Sequence, residues 1–218
     1  TSGSTGNPKG VKVSTHNVES FLKNMECFYD FPPGFKASQT FDLNFDPSVS
    51  DMLFTWFKGG ELCVIPEDEL LLPFDYIRRE QITFWNSVPT LGRFMMNMNL
   101  LEENVFPSII CSTFCGEQFP QDLADQWRIA APNSSIENLY GPTETTIYIS
   151  RYLYEKNAPK YKNGIVPIGK PFNNHECVIV NEELNPVNKD QIGQIAFTGH
   201  QVTKGYLNDN KKTDKAFV

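Results

Sequence analysis

With 218 residues, 40% of them hydrophobic and 13% aromatic, the chain can bury a substantial core as one large domain or two small ones. Its net charge of −7 argues against a broad basic surface for nucleic acid but leaves room for one local anion site. No apolar run reaches the length of a membrane span and no secretory leader is visible, although the chain opens inside a motif and a preceding segment could carry one. Neither nucleic acid nor a membrane is therefore expected as a partner. Cys27, Cys63, Cys111, Cys115 and Cys177 form no C-x-x-C pair, and His16, His175 and His200 lack metal-ligand spacing. Reduced thiols in a cytoplasmic protein are the expectation.

The chain begins Thr1-Ser2-Gly3-Ser4-Thr5-Gly6-Asn7-Pro8-Lys9-Gly10. Small residues let a backbone approach a polyanion, successive N–H groups can wrap phosphate oxygens, and hydroxyls and Lys9 add donors and charge. The spacing is neither a Walker A loop nor G-x-G-x-x-G. A flexible Gly/Ser turn is the plain alternative, against which the ordered Pro-Lys-Gly tail speaks.

Val11 and Val13 read as a short strand leaving this loop. A helix over 17–28 follows, capped by Ser14 or Thr15, with Val18, Phe21, Leu22 and Met25 at helical spacing. Pro32-Pro33-Gly34 breaks it, and Val49, Met52, Leu53 and Trp56 mark a second helix ended by Gly59-Gly60. Strands are predicted at 61–65, 83–88, 109–114 and 135–139, and helices near 74–80, 90–97 and 121–130. Alternation of this kind predicts parallel βαβ units with ligands at the carboxyl ends of the strands. Phe114-Cys115-Gly116-Glu117 and Tyr140-Gly141-Pro142-Thr143-Glu144 both fall there. After Tyr154 the pattern shifts to short strand-like runs at 166–169, 176–180 and 194–198 with no helical pattern between them. The expected fold is thus α/β: a mostly parallel sheet flanked by helices over 1–154, then a smaller β-rich subdomain over 155–218.

In Asn138-Leu139-Tyr140-Gly141-Pro142-Thr143-Glu144-Thr145-Thr146, Tyr140 offers a flat face for a base, Gly141-Pro142 a fixed turn, Thr143 a hydroxyl and Glu144 a carboxylate suited to Mg²⁺. A hard cation beside a phosphate loop serves phosphoryl or nucleotidyl chemistry. A turn opening a helix is the plain alternative. Together with Thr1–Gly10, and with Gly193-Gln194-Ile195-Ala196-Phe197-Thr198-Gly199 followed by Gly205-Tyr206-Leu207, this stretch resembles three ordered motifs of the acyl- and aminoacyl-adenylating enzymes. That superfamily includes nonribosomal peptide synthetase adenylation domains, acyl-CoA synthetases and luciferase.

The resemblance implies that Thr1, Ser2, Gly3, Ser4, Thr5, Gly6 and Lys9 hold the β- and γ-phosphates of ATP. It implies an adenine site at Gly116, Glu117, Asn138, Tyr140 and Gly141, an α-phosphate contact at Thr143 and a Mg²⁺ ligand at Glu144. A substrate carboxylate would attack the α-phosphorus, giving acyl-AMP and pyrophosphate. Alignment and charge neutralisation, with Lys9, Thr143 and Glu144 as the catalytic group, would do the work without a protein nucleophile.

Asp46, within Phe45-Asp46-Pro47-Ser48-Val49-Ser50-Asp51, sits where the family pairs an Asp with a substrate ammonium. A carboxylate in an apolar pocket is costly unless a cation meets it, so it selects amino acids. Capping of the following helix is the alternative role. The resemblance lines the pocket with Pro47, Ser50, Asn86, Thr113, Cys115, Leu139, Ile147 and Tyr148, mostly small or medium residues that suit a modest amino acid. Cys115 before Gly116-Glu117, with Phe45-Asp46 and Ser48-Val49, is similar to the D-alanine–carrier protein ligases. The implied partner is then a carrier protein whose phosphopantetheine thiol accepts the aminoacyl group.

In the family a subdomain precedes the phosphate loop, and an Arg-Thr-Gly-Asp-like segment and a C-terminal domain with a catalytic lysine follow. None of these lies within the 218 residues. The chain is therefore expected to be a central fragment, inactive in isolation. An acid–thiol ligase making acyl-CoA, with Asp46 as a helix cap, is the alternative activity, and a non-catalytic binding module the alternative for the chain alone.

Overall fold

A computed structural model describes residues 8–218. The first strand of its main sheet, β1 (Lys36–Gln39), follows helix α1 (Thr15–Phe28). Three helix–strand pairs continue the sheet: α2 (Pro47–Phe57) and β2 (Glu61–Val64), α3 (Phe74–Glu80) and β3 (Phe84–Ser87), α4 (Pro89–Asn97) and β4 (Cys111–Phe114). Helix α5 (Gln121–Ala130) leads to β5 (Ser135–Tyr140), and β6 (Ser150–Leu153) and β7 (Lys170–Pro171) complete seven strands. Their order is β2-β1-β3-β4-β5-β6-β7. The first five are mutually parallel; β6 runs antiparallel to β5, and β7 antiparallel to β6. A separate antiparallel pair, β8 (His175–Val180) and β9 (Gln194–Gly199), precedes the short helix α6 (Asn210–Ala216).

Alternation along each strand sends side chains to two apolar layers. Phe84, Cys111 and Leu139 meet Phe21 and Met25 of α1 and Phe54 of α2 on one face. Trp85, Phe114 and Ile136 meet Ile77, Met95, Leu123 and Trp127 of α3–α5 on the other. Strands covered on both sides are what a parallel sheet requires. Ser14 caps α1 as predicted: its Oγ accepts from Asn17 N at 3.3 Å while Asn17 Oδ1 accepts from Ser14 N at 2.9 Å.

Five elements differ from the sequence reading. The expected strand at Val11–Val13 is a single bridge from Val11 to Tyr206. The strand expected at 166–169 lies just beyond it, at β7. Strands β1 and β6 join the sheet without having been predicted, and α6 interrupts a region read as free of helix. That helix buries no residue and is held by its cap, Asp209 Oδ1 accepting from Lys212 N at 3.0 Å, so no apolar period marks it.

Candidate functional site

The strand order reverses direction between β1 and β3, and such a switch point opens a crevice at the carboxyl ends of the strands. A cleft of about 450 Å³ lies at that end, lined by Phe45, Asp46 and Pro47 before α2, by 115–119 after β4, by 138–142 on β5, and by Tyr148, Ile165, Val166 and Ile168. The segments after β4 and β5 thus meet in one hollow, with the start of α2 as its third wall.

Asp46 has helical φ and ψ of −64° and −22° and makes no side-chain cap bond to α2, which opens on Pro47. Its Oδ2 is buried without a hydrogen-bond partner. Burial raises its pKa above the usual carboxylate value, an effect partly offset by the Thr143 hydroxyl and the Ile147 main chain. A half-satisfied carboxylate at the wall of a cleft is an acceptor built for a cation.

The turn facing Asp46 is strained. After a 3-10 turn at Thr143–Thr145, Thr146 and Ile147 take φ of 59° and 70°, a region that β-branched residues avoid. Gln201, fully buried, holds the turn: its Nε2 donates to Tyr148 O at 2.6 Å and to the Thr145 and Thr146 carbonyls at 3.3 Å. Thr146 Oγ1 donates to Gln201 O at 2.7 Å, and Asn24 Nδ2 to Gln201 Oε1 at 3.1 Å. Gly141 permits the close approach that follows, since a Cβ there would lie 2.3 Å from Ile147 O and 2.8 Å from Tyr148 Cα. Gly141→Ala is accordingly expected to destabilise the chain by about 1–3 kcal/mol, because main chain must move to admit the methyl group; denaturant unfolding measures it.

Glu144, next to Thr143, accepts from Tyr206 Oη at 2.5 Å. Lys9 Nζ lies 3.7 Å from the same carboxylate and donates to Tyr206 Oη at 3.1 Å. The exit of the opening loop therefore meets the Thr143–Glu144 turn. Thr1, Ser2, Gly3, Ser4, Thr5 and Gly6, the predicted phosphate cradle, lie outside the described residues. Among the described residues no group of three or more His, Cys, Asp or Glu could cage a metal ion. A lone carboxylate instead fits the way Mg²⁺ binds through one or two carboxylates plus substrate phosphates.

Pro47, Cys115, Leu139 and Tyr148 line the cleft with Asp46; Ser50, Asn86, Thr113 and Ile147 do not. Behind it, Asn86 Nδ2 donates to Asp51 Oδ1 at 2.6 Å and to Tyr148 Oη at 3.1 Å, and Thr113 Oγ1 donates to Asn86 Oδ1 at 2.8 Å. Cys115 Sγ lies 3.3 Å from Tyr148 Oη, and burial pushes its thiol pKa well up, which leaves it a packing residue. These bonds pin Tyr148 and Cys115 at the cleft wall, while Asp51 Oδ2 behind them is buried without a hydrogen-bond partner among the described residues.

Gly116, Glu117, Asn138, Tyr140 and Gly141 all line the cleft. Glu117 Oε2 accepts from Thr90 N at 3.0 Å and from Thr90 Oγ1, so it also caps the first turn of α4. Asn138 Nδ2 donates to Val166 O and Pro167 O at 3.0 and 3.1 Å, fastening the cleft's far lip to β5. Sequence reasoning missed Gln201 and Asp51, whose partners are remote in the chain. It quoted Tyr206 within a motif without giving it a role.

A parallel sheet with a cleft at the carboxyl ends of its strands, and a tyrosine-to-glutamate turn met by Lys9, define an α/β fold with a ligand-sized hollow. Residues 1–207 match the family model described as AMP-binding enzyme, and the chain belongs to that family. It is 33% identical to a D-alanine--D-alanyl carrier protein ligase of Bacillus licheniformis, covering 100% of this chain and 44% of that protein. It is 32% identical to a delta-poly-L-ornithine synthetase of Acinetobacter baumannii, over 100% of this chain and 16% of that protein. The adenylation domain AlmE of Vibrio cholerae, solved with glycyl-adenosine-5'-phosphate, superposes with a TM-score of 0.92 at 34% identity, over 100% of this chain and 42% of that one. The chain thus spans less than half the length of these relatives.

Proposed function

We propose that the full-length protein carrying this chain adenylates a small amino acid with ATP, releases pyrophosphate, and passes the aminoacyl group to the phosphopantetheine thiol of a carrier protein. One observation carries the reading: the buried Asp46 Oδ2 has no partner and sits on the cleft wall beside Thr143. A substrate ammonium supplies the missing charge. The substrate carboxylate then lies near the Thr143–Glu144 turn, where the α-phosphate is read by the Thr143 hydroxyl. Lys9, with Thr1, Ser2, Gly3, Ser4, Thr5 and Gly6, takes the outer phosphates, and adenine enters between Gly116-Glu117 and Asn138-Tyr140-Gly141. Bound Mg²⁺ would neutralise phosphate charge, with Glu144 as its protein ligand. The chain's own residues contribute alignment: they hold carboxylate and phosphorus in line and exclude water from the floor.

Cys115 and Tyr148 on the cleft wall, held together and tied to Asn86 behind them, favour a hydrogen or methyl side chain. The D-alanine in the name of one relative and the glycyl adenylate bound to another are of that size. A cytoplasmic setting fits ATP use; no helix among the described residues is long and apolar enough to cross a membrane. An acyl-CoA-forming reading needs Asp46 as a helix cap, and its side chain makes no cap bond. Amino-acid-dependent ATP–pyrophosphate exchange by the full-length protein tests the proposal. Glycine or alanine is expected to drive exchange while acetate and butyrate do not; the reverse order refutes it.

A further inference from the structure

We infer that Tyr206 is the positioning residue of Glu144: its hydroxyl fixes the carboxylate that meets the cation and ties it to the lysine of the phosphate loop. The inference rests on the proposed role of Glu144 as cation ligand.

Tyr206 is 4% exposed. Its hydroxyl donates its one proton to Glu144 Oε1 at 2.5 Å and accepts from Lys9 Nζ at 3.1 Å. The Lys9 ammonium also sits 4.4 Å from the ring centroid. The hydroxyl thus uses its donor on a carboxylate and its acceptor on a cation. Lys9 and Glu144 already form an ion pair at 3.7 Å, and without the hydroxyl to share them that pair is free to tighten. That pairing would occupy a cation ligand with a phosphate ligand.

The ring is held independently of its hydroxyl. Val11 bridges Tyr206, Lys12 N donates to Gly205 O at 3.1 Å, and Leu207 N donates to Gly10 O at 2.8 Å. On the other side Thr203 N donates to Glu144 O at 2.8 Å. Residues 203–207 thus form a splint between the exit of the phosphate loop and the metal-ligand turn. Tyr206 N donates to Thr213 Oγ1 at 2.9 Å, and the Phe217 ring stands edge-on at 5.6 Å. Gly205, at φ of 105°, lets the chain enter this corner, since a Cβ would lie 2.3 Å from Thr213 Cγ2. An ordered carboxylate meets its cation without first losing rotamer freedom.

Tyr206→Phe removes only the hydroxyl. Calorimetric titration of ATP into the full-length protein at a series of Mg²⁺ concentrations reads the effect. The variant is expected to need about tenfold more Mg²⁺ for the same gain in ATP affinity, the size of a lost hydrogen bond to a charged group. Glu144→Gln is expected to abolish the Mg²⁺ dependence, and Tyr206→Phe added to it to change nothing further. If Glu144→Gln keeps the wild-type Mg²⁺ dependence, the cation-ligand reading itself fails. If Glu144→Gln loses it while Tyr206→Phe keeps the wild-type requirement, the inference about Tyr206 is overturned and that reading stands. An equal loss from Tyr206→Phe in both backgrounds marks a general folding defect and also overturns the positioning role.

Discussion

Replacing Arg151 with alanine is expected to destabilise the chain by about 3–5 kcal/mol, the loss seen when a buried carboxylate loses its cation. Arg151 Nη2 and Nε bind Glu137 Oε1 and Oε2 at 2.6 and 2.9 Å, a two-point pair between β6 and β5. The Glu137 side chain is only 3% exposed, and among the described residues its one other side-chain donor is Tyr29 Oη at 2.8 Å. The guanidinium also lies 4.4 Å from the Phe28 ring, so its loss removes packing between α1 and the sheet as well. The double change Glu137→Leu with Arg151→Met is expected to be far milder than Arg151→Ala alone, because no uncompensated charge remains. Denaturant unfolding of the three variants measures both effects. A loss under 1 kcal/mol for Arg151→Ala would show that the pair does not hold β6 to β5.

Asp46→Ala is expected to lower kcat/KM for the amino acid by a hundredfold or more, about 3 kcal/mol, the scale of truncating one partner of a buried charge pair. ATP affinity is expected to stay near wild type. A pH signature accompanies the loss. Burial raises the Asp46 pKa, and only the ionised carboxylate attracts an ammonium. The wild-type KM for the amino acid should therefore climb as pH falls through that raised value, sooner than an ordinary aspartate would allow, and Asp46→Asn should flatten this limb. Stability runs the other way. The fold holds this proton more tightly than the unfolded chain does, so the carboxyl favours the fold below its unfolded pKa. That advantage is lost as pH rises through the folded value. At pH 7 Asp46→Asn should melt no lower than wild type, which separates lost recognition from lost structure. Unchanged exchange activity in Asp46→Ala would remove the ammonium from the site.

What the sequence disclosed followed local chemistry. Ser14 with Asn17 marked the start of α1, Gly59 its counterpart at the end of α2 with φ of 70°, and alternating apolar runs the parallel sheet. The cleft segments after β4 and β5 were legible because strand ends in such sheets face ligands. Strand β1 was not, because Lys36-Ala37-Ser38-Gln39 carries no β-branched or aromatic residue. Ser38 reaches a partner far along the chain, its Oγ accepting from Asn86 N at 3.0 Å; Gln39 Nε2 donates locally to Phe41 O at 2.9 Å and its Oε1 is buried without a partner among the described residues. Gln201 and Arg151 were opaque for the same reason: an isolated polar residue does not announce a buried partner. Asp46 left two roles open in sequence, and the absent cap bond and unpaired oxygen favour one of them.

The splint at 203–207 also governs when the protein can work during its own synthesis. Lys9 and Tyr206 are 197 positions apart, and closing so long a loop is entropically unfavourable until the intervening layers have packed. The crossovers from β1 to β5 can condense as they leave the ribosome, but Lys9 has no Tyr206 to rest on until the 197 positions that separate them have been made. A nascent chain therefore has a sheet before Lys9 and Glu144 meet on one hydroxyl. Any ligand that binds only after that closure would act as a ratchet that keeps the final step from reversing.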